Sequence, residues 1–136
     1  MVIEAEVGDG HGAVYVYFSD TDRELAMLKH EIRWRCKIGY ALDGNPRRRI
    51  MGQALHTAMS RMPTIGLVIR TDHGKTIERL LHRGLHAAGR RALDSPGAEW
   101  FETSPDEIKE WHKHIEAAMR LFTPIDVADE TSPDQE

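Results

Sequence analysis

Polar and apolar positions first settle into a pattern over Ala13 to Ser19. There Val14, Val16 and Phe18 share one side and Tyr15, Tyr17 and Ser19 the other, the two-residue period of a strand. Val14 and Val16 are expected to face the core, with the two tyrosines opposite. The preceding residues, 1–12, hold Gly8, Gly10 and Gly12 among several acids and read as a flexible lead-in. After the strand, Thr21-Asp22-Arg23-Glu24 has the spacing of a capping box. Leu25, Leu28 and Ile32 follow at helical spacing, so a short amphipathic helix is predicted. Arg35 to Ala41 is a second strand, ended by Asp43-Gly44. If its Ile38 points inward, Lys37 and Gly39 point the other way, and pairing of the two strands brings Tyr15, Tyr17, Lys37 and the gap at Gly39 to one face.

Asn45 before Pro46 is a cap residue followed by a proline suited to the first helical position. Ile50, Met51, Ala54, Leu55 and Ala58 mark one apolar stripe of that helix, and Pro63 begins a new segment. Thr64 to Arg70 is apolar on both faces, which predicts a central strand. A helix opening at Asp72 carries Ile77, Leu80, Leu81, Leu85 and Ala88 and closes at Gly89. Ala98 to Glu102 is a short strand. Ser104-Pro105-Asp106-Glu107 is a second capping box, leading a helix with Ile108, Trp111, Ile115, Met119 and Phe122 on one side. Beyond Pro124 the chain is acidic and poor in large apolar groups. This gives a lead-in over 1–12, one domain over 13–123 and an acidic, disordered or regulatory tail over 124–136.

Charge alters the picture more than composition does. The net charge of −4 averages three unlike segments. Residues 1–22 hold no Lys or Arg against 5 acids, residues 23–91 hold 15 against 5, and residues 92–136 hold 3 against 12. A polyanion would be attracted to the middle segment, although blocks of charge are often only solvated faces. The single cysteine, Cys36, excludes an intrachain disulfide and a cysteine-based zinc cluster, as in a reducing compartment. No apolar run reaches membrane-spanning length and the start lacks the features of a signal peptide, so the expectation is a soluble, cytoplasmic protein in a bacterial or phage-infected cell.

The stretch richest in candidate chemistry runs from Cys36 to Ile50. A glycine-bearing strand feeds through Gly44-Asn45-Pro46 into a helix whose first turn carries Arg47, Arg48 and Arg49. A glycine within a strand marks a close approach of backbone or ligand, and guanidinium groups beside such a gap suit phosphate oxygens. Other signals are weaker. His73-Gly74-Lys75-Thr76 lacks the first glycine of a P-loop, since Ile69 stands in its place. Glu78, His82 and His86 recur every four residues, a possible zinc or transition-metal face without further ligands in the sequence. Trp100, Phe101 and Trp111 are more often core than base-stacking platforms, while Trp34 could stack on a base, though its place after Ile32 also suits packing.

Taken in order, Val-Tyr-Val, Lys-Ile-Gly-Tyr, Pro-x-x-Arg, Glu-x-x-x-His and Glu-Trp-Phe resemble the GIY-YIG nuclease superfamily, closest to its phage-associated branch with KIG and EWF motifs. The resemblance spans residues 12–102. It sets Ala13-Val14-Tyr15 where the family has Gly-Ile-Tyr and Lys37-Ile38-Gly39 where it has Tyr-Ile-Gly. It also matches Arg49 to the family arginine, Glu78 to the metal-binding glutamate and Glu99-Trp100-Phe101 to the late strand. It implies an α/β (α+β) fold with a small central antiparallel or mixed sheet flanked by helices. It further implies hydrolysis of DNA phosphodiesters with one divalent cation, magnesium or manganese. Two positions depart from the pattern: Ala13 replaces glycine, and Lys37 replaces the second tyrosine.

Phosphodiester cleavage needs an activated water and stabilisation of charge on the phosphoryl and leaving oxygens. The expected catalytic set is Tyr15 as base, Lys37 and Arg49 as phosphate-facing cations, and Glu78 as the metal ligand. Tyr17, Gly39, Tyr40, Arg47, Arg48 and His82 are the expected nucleic-acid contacts. These residues are required to meet in one shallow cleft. Each also has a plainer role, Tyr15 as a packing residue, the arginines as solvated charge, Glu78 as a partner of His82. The rivals to a DNA endonuclease are a non-catalytic nucleic-acid-binding module and a structural-metal or interaction domain. DNA specificity would have to come from a partner protein, a homodimer or DNA shape.

Overall fold

A computed structural model of the protein describes residues 2–54, 62–92 and 100–130. The elements in chain order are β1 (Glu6–Gly8), β2 (Gly12–Phe18), α1 (Asp20–Leu28), β3 (Trp34–Ala41), α2 (Pro46–Ala54), β4 (Thr64–Thr71), α3 (Gly74–Ala87), β5 (Trp100–Thr103) and α4 (Pro105–Glu130). They form a mixed α+β fold, one five-stranded sheet of order β1-β4-β2-β3-β5 with four helices. β1 runs parallel to β4, and the other neighbouring pairs are antiparallel. The expected mixed sheet is therefore observed, with β4 inside it.

Alternation along the strands divides the core into two layers. Val14, Val16, Phe18, Cys36, Ile38, Leu67 and Ile69 form one layer, covered by Ile77, Leu81 and Leu85 of α3 and Ile108 of α4. Ala13, Tyr15, Tyr17, Ala41, Ile65 and Val68 form the other, joined by Ile50 of α2. Tyr15 and Tyr17 do share the face opposite Val14 and Val16, but this face is also core.

Several expectations are corrected. The lead-in contains a strand: Glu6, Val7 and Gly8 pair with Val68, Ile69 and Arg70. β1 covers an edge of β4 that would otherwise present open backbone groups, and a three-residue strand with so distant a partner leaves no local period. α1 begins at Asp20 behind Ser19, with no side-chain cap bond, rather than at the Thr21 box. Its expected buried stripe is exposed, Leu25 by 49%, Leu28 by 78% and Ile32 by 75%; Ala26 alone is buried in this helix. α3 starts at Gly74, two residues after Asp72. α4 continues through Pro124, where the tail was expected to start, while residues 131–136 lie outside the described residues.

Other local signals match. Asn45 Oδ1 accepts the Arg48 amide at 3.1 Å, capping α2. Ser104 Oγ accepts the Glu107 amide at 3.2 Å, capping α4. α3 ends on Gly89 at φ +70°, with the Arg90 amide on Leu85 O and the Gly89 amide on His86 O, a Schellman closure. Leu55, Ala58, Ala98 and Glu99 lie outside the described residues.

Candidate active site

The register of β2 on β3 explains the strand glycine. Tyr15 lies opposite Gly39 and Tyr17 opposite Lys37. A Cβ at Gly39 would stand 2.4 Å from the Tyr15 hydroxyl and 2.5 Å from the adjoining ring carbon. The gap is thus filled from within, by the phenol itself, and Tyr15 is fully buried. Tyr17 is 3% exposed and its ring sits between Tyr15, at 5.9 Å, and Trp100, edge-on at 5.7 Å. Lys37 is half-buried beside this aromatic row.

Tyr40, next along β3, points to the other face. It pairs with Val14, and a Cβ at Gly74 would come within 2.0 Å of its ring, so the glycine at the start of α3 makes room for it. His82, two turns further along α3, bonds from Nε2 to the Ile38 carbonyl at 2.9 Å. A carbonyl only accepts, so Nε2 carries the proton in this contact. Among the described residues the last pairing of β3 with β5 is Lys37 with Trp100, and the bond falls at the next residue of β3. Glu78 is half-buried one turn before His82, on the same flank of α3.

α2 starts from the other end of the same short stretch. Asp43, Gly44 and Asn45 make the turn, Gly44 at φ +74°, and a Cβ there would collide with His11 O. Arg70 fastens the turn: its Nη1 donates to Gly44 O while its Nε donates to Glu6 Oε1 at 2.7 Å. Arg47, Arg48 and Arg49 are all exposed. Arg48 stands 3.5 Å from Asp43, and Arg49 meets no carboxylate among the described residues. Both line an open groove of about 650 Å³ with Ala41, Leu42, Asp43 and Gly52.

The expected residues therefore gather around β3 residues 38–41, but in two groups rather than one cleft. Tyr15 and the arginine groove belong to the α2 face, and Glu78, His82 and Tyr40 to the α3 face. The edge of β3 is what they share. His86 is exposed, with its ring edge-on to Phe101 at 5.4 Å, and no group of three potential metal-ligating His, Cys, Asp or Glu side chains occurs among the described residues. Trp34 packs edge-on against Phe18 at 5.3 Å. Cys36 is buried, its thiol directed to Thr103 O at 3.5 Å, and burial pushes that thiol well above its usual range.

Sequence reasoning passed over Arg70, whose two partners lie far away along the chain. It also passed over a run that was readable: Lys75, Arg79 and Arg83, four residues apart on α3 and all exposed.

Fold and site together define a small mixed-sheet α+β domain that presents arginines beside one strand edge. Residues 12–116 match the T5orf172 domain, and the chain belongs to that family, a phage-associated domain related to nuclease-like modules. No curated protein matches the chain. No solved structure matches it either. Among the described residues, no helix is long and apolar enough to cross a membrane.

Proposed function

We propose that this domain is a divalent-metal-dependent DNA endonuclease that hydrolyses phosphodiester bonds. The observation that carries the reading is the exposed trio Arg47, Arg48 and Arg49 beside an open groove next to β3, within residues 12–116 that match the T5orf172 domain. Arg49 holds a non-bridging phosphate oxygen, and Arg47 and Arg48 hold the neighbouring backbone. Lys37 adds positive charge beside the aromatic row. Tyr15 is assigned as the proton acceptor for the attacking water from its place in the motif, its phenol lying buried over Gly39. His82 keeps the β3 edge and the Glu78 flank of α3 in register.

Glu78 is the residue that would hold a magnesium or manganese ion. Hard cations of this kind accept one or two carboxylates completed by water and substrate phosphate, so a lone carboxylate fits. When bound, the ion supplies charge neutralisation at the phosphoryl group.

The test is nicking of supercoiled plasmid in magnesium by the full chain. Tyr15→Phe, Arg49→Gln and Glu78→Ala are each expected to lower the rate by about 100-fold or more. Undiminished cleavage by Glu78→Ala removes that residue from the mechanism.

A second reading, a nucleic-acid-binding module without turnover, draws on the full burial of Tyr15 and the placement of α3 on the opposite face. Salt-dependent DNA binding with no nicking at any magnesium or manganese concentration decides for it.

A further inference from the structure

α3 carries an electrostatic arrangement that does not serve the helix. Lys75, Arg79 and Arg83 succeed one another at four-residue intervals, and all are exposed. Like charges at this spacing repel, by a few tenths of a kcal/mol per pair. Lys75 also lies in the first turn, where the helix dipole disfavours a cation and where this helix has no acid. None of the three meets a carboxylate among the described residues. The single acid of α3, Glu78, lies on the flank toward β3 rather than within the stripe. A solvated face that served only solubility would interleave acids with these cations. The repulsion is relieved when a polyanion binds.

The position of the stripe says where that polyanion would run. Ile77, Leu81 and Leu85 face the core, and Trp111 of α4 lies against Gly84 on one flank. His82 reaches the β3 edge on the opposite flank. By helical geometry Lys75 and Arg79 form the row directly outside Glu78 and His82. Successive cations are separated by about 6 Å of helix rise, so the stripe spans about 12 Å, a length over which one strand of duplex presents three or four phosphates.

We propose that Lys75, Arg79 and Arg83 form a second DNA-backbone track, on the opposite side of the β3 edge from the Arg47–Arg49 groove. This rests on the proposed nucleic-acid function and deepens it: the duplex is held by cations from α2 on one side and α3 on the other. The contacts are to phosphates, so the track contributes affinity and register without sequence preference.

The experiment measures binding of the full chain to a fluorescent duplex of about 30 base pairs by anisotropy, across a salt series. The variants are K75Q/R79Q/R83Q, the charge-retaining K75R/R79K/R83K, and R47Q/R48Q/R49Q. Loss of three phosphate contacts is expected to lower the slope of log K against log salt by about 2.7, while the charge-retaining variant keeps the wild-type slope. The glutamine variant is also expected to melt no lower than wild type, because the i,i+4 repulsion is gone.

An unchanged slope in K75Q/R79Q/R83Q, alongside a reduced one in R47Q/R48Q/R49Q, overturns the α3 track and leaves the proposed function standing. Salt-independent or absent binding by the wild type overturns both. Loss of binding to vesicles containing phosphatidylserine, with DNA binding unchanged, assigns the stripe to a membrane surface and overturns the track.

Discussion

Gly39 concentrates the local physics of the site. It is extended strand with no special backbone requirement, so its small size is demanded entirely by the Tyr15 ring opposite. An alanine there would meet the Tyr15 hydroxyl and two ring carbons within 2.8 Å, in a buried layer where the ring has little room to retreat. Gly39→Ala is expected to destabilise the protein by about 1–3 kcal/mol through overpacking, read as a lower denaturation midpoint. Tyr15→Phe keeps the ring and should leave the fold intact, so it reports on the hydroxyl alone. The glycine was legible as a place of close approach, because strand glycines mark such places. The identity of what approaches was not, because it depends on the register of a neighbouring strand.

At the scale of elements, α2 is the piece whose placement matters most, since it carries the three arginines, and two of its described side chains are buried. Pro46 and Ile50 are buried, while Arg47, Arg48, Arg49, Met51 and Gly52 are exposed. Burying one isoleucine contributes about 1.5–3 kcal/mol, a modest anchor for a helix that must aim three long side chains. The Arg70 bridge between Glu6 and Gly44 O supplies a second hold at the turn. Arg70→Lys is expected to fail as a substitute, since an ammonium lacks the fork needed to reach both partners. Amide exchange at Arg48 to Gly52 should then quicken about tenfold, equivalent to ~1.4 kcal/mol, with the central strands unaffected. Cores of elements with a strong period were legible, as in Ile77, Leu81 and Leu85. The amphipathic pattern of α1 was misleading because period alone does not say whether anything packs on the apolar side.

Across the whole molecule, Glu107 ties four segments together. It receives Arg90 from beyond α3 at 2.6 Å, Arg33 from before β3 at 3.0 Å and Thr103 of β5 at 2.6 Å, while its own amide caps α4. Burial alone would raise its carboxyl, but the hydrogen bonds from Arg90, Thr103 and Arg33 prevail and hold it at about 2, below the usual 4.5. A lowered folded-state value means stability that is complete above pH 4.5 and is lost as pH falls toward 2. Denaturant midpoints measured through that window should drop for the wild type and flatten for Glu107→Gln. The variant is expected to be less stable at pH 7 by about 1–3 kcal/mol. Ser104 to Glu107 was legible as a capping box. The three additional partners of Glu107 were not, because they converge only once the sheet has formed.

Cys36, sealed between β3 and β5 with its proton held tightly, gives the protein a chemically silent background. Thiol-reactive probes should pass over the native fold and label only a cysteine introduced at an exposed site. One such site near the start of α2 and another on α3 would let a pair of dyes or spin labels gauge how far the two helices separate when DNA is added, with no native residue first removed.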